Sequence, residues 1–421
     1  MRVSPYGRGQ RRRPPAHVLV LRWLGVLVTA SLVAAAAVLA VHQIGGSVRP
    51  PSAAASAHLQ GTLPKVRGTA AELASKQRPP KPAPGPVTMS VVGDTELGNT
   101  PLLPPDPATY LGPVRAALAA PIVFGNLEGT LTNSTGSKCG PGSTECFAFR
   151  TPPAYAQYLH HDGFTILNSA NNHSHDFGEQ GLLDTSMALK AAGIAQTGLP
   201  GQIGIVHDGT TSVAFIGFAP YTNTNDLLDF ATARALIQKA RTEADIVVVY
   251  MHAGAEGSQA DHVTGQEEYY VGEDRGNPEA FAHAAIDDGA NLVIASGPHV
   301  LRGMEFYKGD LIDYSMGNFA GYGNFATGGD LSLSGILRVT LDGRGGFVKA
   351  SFTSLTLNSN GQPSVDPTGA AARFVAQLSQ EDFGASAAEL SPAGAISPHA
   401  SASDLAPHSS GISTSRPTST S

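Results

Sequence analysis

Short β-branched and apolar runs recur through the middle of the chain, each giving way to polar residues and glycine. The stretches VTMSVVGD, APIVFGN, GFTILNS, TSVAFIGFA, ADIVVVYMH and ANLVIASG predict strands. EQGLLDTSMALKAAG carries Leu182, Leu183, Met187 and Leu189 near helical spacing and ends at Gly193, which predicts a helix with a glycine terminator. NPEAFAHAAIDDG repeats that pattern and ends at Gly289. Strand, helix and strand in succession predict an α/β fold built on βαβ units. After residue 303 the texture becomes strand-rich hairpins, GILRVTLDGRGGFVKASFTSLTL among them.

A different pattern opens the chain. The 19 residues from Trp23 to Val41 carry no charge, enough to cross a bilayer as a helix. Six of the 27 basic residues (Arg2, Arg8, Arg11, Arg12, Arg13 and Arg22) precede that run, and no acidic residue occurs before Glu72. Residues 1–22 are therefore expected to stay cytoplasmic, with 23–41 as a single-pass anchor and the rest outside. The rival reading is a cleaved signal peptide with AAASA at 53–57 as its processing site. The run is long for a signal and the alanines lie well beyond it, which favours the anchor. Residues 42–86 read as a Pro/Ala-rich linker, 87–396 as the folded domain, and 397–421 as a Ser/Thr/Pro tail unable to bury a core.

Charge then narrows the partners. Everything after Arg22 carries 21 basic against 34 acidic residues, a balance of −13. Nucleic acid needs a basic face and is excluded as the expected partner. The two cysteines, Cys139 and Cys146, lie close together in CGPGSTEC and predict a local disulfide in an exported protein. A loop this short contributes about 2–3 kcal/mol when closed.

The polar clusters fall at strand ends. Asp94 follows the first predicted strand, Asn126 and Glu128 the second, NSANNHSHDFG the third, His252 follows VVVYM and His299 follows NLVIAS. Ligands of open α/β sheets bind at that edge. Carboxylates, an amide and imidazoles together suit a divalent ion such as Mn, Zn or Fe. Such an ion lowers the pKa of water and polarises a phosphoryl or carbonyl oxygen. Each element alone has a plainer reading: Asp94 as a turn residue, His252 as a structural histidine, and Glu267 and Glu268 as a solvated face. His173 and Asp176 fit an ordered imidazole–carboxylate pair, and His175 reads as exposed or as a neighbour that supports the site without ligating.

The series VVGDTELG, FGNLEGTL, SANNHSHDFG, YMHAGAEG, SGPHVLRGMEFYKG and YSMGNFAGY resembles the CapA family of capsule and poly-γ-glutamate biosynthesis proteins. That family has a calcineurin-like metallophosphoesterase fold. The resemblance runs from about Val87 to residue 396 and implies a four-layer α/β/β/α sandwich beside the N-terminal transmembrane helix. It implies Asp94, Glu128, Asn172, His252 and His299 as metal ligands, His173 as proton donor and Asp176 as its orienter. Glu256, Arg302 and Asn318 fall in family motifs and are expected to line or support the pocket. The usual D-x-H opening is Asp94-Thr95-Glu96 here, so Glu96 is a substitute ligand candidate. The usual H-x-H closing is Gly297-Pro298-His299. One ion is expected, and a second is left open by the missing histidines.

Two functions follow from that resemblance. One is an extracytoplasmic, membrane-anchored, metal-dependent hydrolase or transferase acting on a phosphoester substrate during surface-polymer production. The other is a non-catalytic accessory subunit that holds an anionic surface polymer beside membrane synthase subunits, with Arg302 helping to grip it. A domain that has lost its metal is the third and plainest alternative.

Overall fold

The computed structural model describes residues 83–399, apart from 141, 142, 144 and 145. The expected cytoplasmic tail, the anchor at 23–41, nearly all of the linker and most of the tail after 397 lie outside the described residues. Among the described residues no helix is long and apolar enough to cross a membrane.

The fold is mixed α/β. Its first sheet contains ten strands, and its centre is β1 (Val87–Glu96), β2 (Ile122–Leu127), β3 (Ile166–Asn168) and β4 (Ala195–Thr197), paired in parallel in that order. The second sheet has six strands. Its core is β5 (Thr211–Phe218), β6 (Ile246–His252) and β7 (Leu292–Ser296), again parallel. The chain then returns to the first sheet. The short β8 (Asn318–Gly321) pairs parallel with the end of β1, and antiparallel β9 (Leu333–Leu341) and β10 (Phe347–Leu357) extend the sheet past β1.

Burial explains the apolar runs. Every residue of β2, β5, β6 and β7 is buried, as strands covered on both faces must be. Val91, Phe124 and Leu337 of the first sheet share one core with Phe215, Val248 and Ile294 of the second. The opposite face of the first sheet, through Val123 and Leu167, packs on α1 (Tyr155–His161) and α2 (Gly178–Ala192). The opposite face of the second, through Val247, Val249 and Val293, packs on α3 (Phe230–Glu243) and α4 (Pro278–Asp288).

Two helices end as the sequence predicts. α2 stops at Gly193 and α4 at Gly289, both left-handed, and Asn277 Oδ1 caps α4 by accepting from Ala280 N. The face that α2 buries combines Leu189 with small residues. Leu189 is buried, but Leu183 and Met187 are more than half exposed and Gly181, Thr185 and Ala192 turn inward instead. Beyond residue 303 the hairpins are present, joined by a further helix, α5 (Ala370–Phe383), that packs on β10 and buries Val375 and Leu378. The last strand, Ala395–Pro398, runs past the expected boundary at 396.

Candidate metal centre

Strand register assembles the site. Asp94 lies opposite Asn126 on one side and Asn318 on the other, and Asn126 lies opposite Asn168. In the second sheet His252 lies opposite Ser296. These six residues are buried, so their polar atoms must satisfy one another or a ligand. Asn126 Nδ2 donates to Asp94 Oδ1 at 2.8 Å, and its Oδ1 accepts from Asn168 and Asn171 at 2.7 and 2.9 Å. Ser296 Oγ also donates to Asp94 Oδ1, so this carboxylate joins the two sheets. β1 does not stop at Asp94 but continues to Glu96 through an irregularity in register after it. Gly93 permits the close approach: a Cβ there would lie 1.9 Å from Gly317 O.

Asp94, Glu128 and His252 direct ligand atoms that all lie within 4.8 Å of one another. Both Glu128 oxygens and His252 Nε2 are buried without a hydrogen-bond partner. Orphaned polar atoms in an interior are costly, and two carboxylates close together repel. Burial, then the Asp94 charge, pushes Glu128 well above the usual carboxylate range. Burial would raise Asp94 as well, but the contact to His299 and its charge hold it below its ordinary value. Burial drives His252 well down and keeps it neutral, the form that ligates a metal. A divalent cation of the Mn, Zn or Fe type fits this donor set and the orphaned atoms that compose it.

His299 stands beside the group with left-handed backbone, φ +60°, uncommon for a residue with a side chain. Its Nδ1 is 3.2 Å from Asp94 Oδ2 and 2.8 Å from Asn318 Oδ1, and its Nε2 is 3.7 Å from Glu128 Oε1. Burial opposes its charge, yet Glu128 and Asp94 raise its pKa to about 10. Asn172 keeps Oδ1 buried without a hydrogen bond, while its carbonyl accepts from Lys138 Nζ at 3.1 Å. Glu96 is buried with both oxygens unpartnered and its carboxyl raised by burial and by Glu128, but it is outside the three-residue group.

His173 and Asp176 are paired as expected, Nδ1 to Oδ2 at 2.8 Å, with Phe149 N donating to the same Oδ2 at 2.6 Å. Phe149 also packs its ring 4.4 Å from that of His173. His173, Glu256, His299 and Asn318 line one cleft of about 310 Å³ walled by Phe147, Phe149 and Phe325. His175 is exposed and meets Glu179. The disulfide joins Cys139 and Cys146.

Two expectations are corrected. Arg302, expected to line or support the pocket, does not line it: it is fully buried, its guanidinium taken by both Glu268 oxygens at 2.9 and 2.7 Å and by the Ala260 carbonyl at 2.6 Å, which leaves the supporting role open to it. Glu268 is accordingly not on a solvated face, its side chain being 11% exposed. Two cations, Lys138 and Arg275, line an adjoining cleft with Asn172, His173 and Glu256, and Arg275 is absent from the expected set. It bonds Glu256 Oε1 at 2.7 Å. GEDRGNP reads as an ordinary polar loop, and nothing in it marks the arginine.

Residues 88–322 match the family described as bacterial capsule synthesis protein PGA_cap. The chain is 31% identical over 218 residues to the PGA biosynthesis protein CapA of Bacillus subtilis, covering 48% of this chain and 53% of that one. It is 32% identical over 178 residues to the capsule biosynthesis protein CapA of Bacillus anthracis, covering 37% and 40%. The matched part thus spans about half or less of each of these relatives. A 5′-nucleotidase precursor structure from Thermus thermophilus aligns at 13% identity and a TM-score of 0.35, over 70% of this chain and 59% of that one. With more than half of its length inside the family match, the chain belongs to the bacterial capsule synthesis protein family PGA_cap.

Proposed function

We propose that this chain is a metal-dependent hydrolase or transferase of surface-polymer production, acting on a phosphoryl or related bond outside the cytoplasm. We propose with it a four-layer sandwich of the calcineurin-like metallophosphoesterase type and a membrane anchor at residues 23–41. The arginine-flanked apolar run supports the anchor, and the core shared by two helix-flanked sheets supports the architecture.

The observation that carries the reading is the group Asp94, Glu128 and His252, with its unpartnered ligand atoms, beside a cleft that also holds an ordered His–Asp pair. A divalent ion held by these three, with His299 and Asn172 as further candidates, would polarise the reacting oxygen and lower the pKa of water. The protein's own residues would do the rest. Asp176 fixes the ring of His173 through Nδ1, leaving Nε2 to carry a proton to a leaving group. Phe149 packs against that ring and keeps one side of it dry. Asn126, held by Asn168 and Asn171, locks Asp94 in place.

The test is turnover of a generic phosphoester by the full-length chain with Mn, Zn or Fe added in turn, beside His173→Ala. Metal-dependent turnover lost in the variant, with metal retained, supports the enzyme. No turnover with any metal, while metal is still bound, favours the accessory role in holding an anionic polymer.

A further inference from the structure

Arg275 lies in the turn between a two-residue strand, Glu273–Asp274, and α4. It is 1% exposed, among the largest buried side chains of the described residues. Its Nη1 donates to Glu256 Oε1 at 2.7 Å, but Nε and Nη2 are buried with no hydrogen-bond partner. A guanidinium carries five N–H donors in a fixed fork. Leaving a buried donor unpaired costs about 1–3 kcal/mol. Arg302 shows the alternative in the same molecule: its Nη atoms and its Nε are all taken by protein acceptors. Arg275 therefore presents an edge that the protein itself does not complete.

The surroundings say where that edge belongs. Arg275, Asn172, His173, Glu256 and Tyr270 line a cleft of about 450 Å³ that shares His173 and Glu256 with the cleft beside His299. Space for the guanidinium is kept by Gly297, just past the end of β7 and two residues before His299. A Cβ on Gly297 would stand 3.3 Å from Arg275 Nη2 and 3.2 Å from Ala253 N, and its φ of +117° disfavours any side chain. Where a residue at 297 could have entered the site, the guanidinium stands instead. The two other nearby cations are engaged: Lys138 Nζ lies 2.6 Å from Asp176 Oδ1, and His299 stands between Asp94 and Glu128. Glu128 and Asp94 at the metal group, and Glu256 and Glu273 in the cleft, add negative charge that the Arg275 guanidinium offsets for an anionic substrate.

We infer that Arg275 is the anion-binding residue of the cleft, its guanidinium taking an oxyanion of the substrate while Glu256 holds Nη1. A planar fork suits two oxygens of one phosphoryl or carboxylate group. Held there, the group lies in the cleft shared by His173 and Glu256. Glu256 is a positioning residue. This assignment rests on the reading of the cleft as the substrate site and names what part of the substrate that site recognises.

The experiment uses the full-length chain as wild type, Arg275→Lys, Arg275→Gln and Arg275→Gln/Glu256→Gln. Inorganic phosphate and glutarate are titrated separately by calorimetry, with and without Mn, and metal content and melting temperature are recorded for each protein. The double variant removes the unpaired carboxylate that Arg275→Gln leaves buried and so guards against misfolding. Arg275→Gln and the double variant should bind the preferred anion at least about tenfold more weakly with metal content unchanged, since charge-assisted bidentate contacts are the strong ones. Arg275→Lys should fall between, keeping charge but losing the fork. Preference for phosphate over glutarate would assign the group as phosphoryl, and the reverse as carboxylate. A folded double variant that binds both anions within twofold of wild type would overturn the inference, as would a wild type that binds neither. Anion binding that depends on Arg275 in a protein that takes up no metal would sustain this inference and sink the metal-dependent reading. Metal uptake with anion binding indifferent to Arg275 would do the opposite.

Discussion

Lys138 and Asp176 meet across the disulfide-closed loop and the histidine loop, Nζ to Oδ1 at 2.6 Å. The other Asp176 oxygen takes His173 Nδ1 and the backbone N–H of Phe149. Lys138 precedes Cys139 and Phe149 follows Cys146, so the stapled loop grips the carboxylate from both ends. Lys138 N also donates to the Asp176 carbonyl at 2.7 Å. The local disulfide thus reaches the ring expected to move a proton.

Opening that loop should therefore cost more than stability. Cys139→Ser/Cys146→Ser is expected to lose about 2–3 kcal/mol, the chain-entropy contribution of so short a loop. It should also slow turnover severalfold at temperatures where it is fully folded, because Asp176 loses its two-sided hold. Denaturant melts and kinetics at low temperature check both. A variant that melts lower yet turns over like wild type would confine the disulfide to stability.

His173 and Asp176 should separate chemistry from metal binding. His173→Ala is expected to lower kcat by about 10²–10⁴-fold, the range for a positioned acid or base. Asp176→Asn should lower it less, since the ring remains but its orientation is loosened. Metal content should stay at the wild-type level in both. Loss of metal with either substitution would move these residues into the ligand set.

Glu96 offers a sharper test of the ligand set. It is buried and close enough to Glu128 to feel its charge, but it is not among the three clustered ligands. Glu96→Gln keeps shape and removes charge. It should leave metal stoichiometry unchanged by mass spectrometry, whereas loss of one equivalent would make Glu96 a ligand after all.

A pH effect on stability should appear far from the cleft. His283 Nε2 lies 2.6 Å from Glu305 Oε1, which also accepts from Tyr314. The contact to Glu305 raises His283, and Glu305 is held below its usual range because His283 and Tyr314 outweigh burial. The histidine's contribution is complete below its unfolded pKa of about 6.5 and is lost as pH rises through the raised folded value. The glutamate's is complete above about 4.5 and is lost as pH falls through the lowered folded value. His283→Gln should thus cost most near pH 5–6, about 1 kcal/mol after solvent screening of a side chain 26% exposed, and less once pH has risen through the raised folded value of His283. A cost independent of pH would contradict the pairing.

The sequence made the strand ends legible because buried parallel strands read as unbroken apolar runs and the polar residues after them stand out. Asp94, Glu128, His252, His173 and Asp176 were found that way. Arg302 and Glu268 were not, because their pairing joins two loops 34 residues apart and neither carries a local signal. Arg275 escaped for the same reason: its role depends on the gap that Gly297 leaves, which only the folded chain shows. On α2, leucine spacing shows a helix but not its buried face, where small Gly181 and Ala192 join Leu189 and Met187 stays outside.

Metal content decides the central claim. The full-length chain, purified without chelator, should carry one or two equivalents of Mn, Zn or Fe by mass spectrometry, and Asp94→Ala/His252→Ala should carry none while still folded. No metal in the wild type, even after reconstitution, would contradict the metal-dependent account and leave the cleft as a binding scaffold.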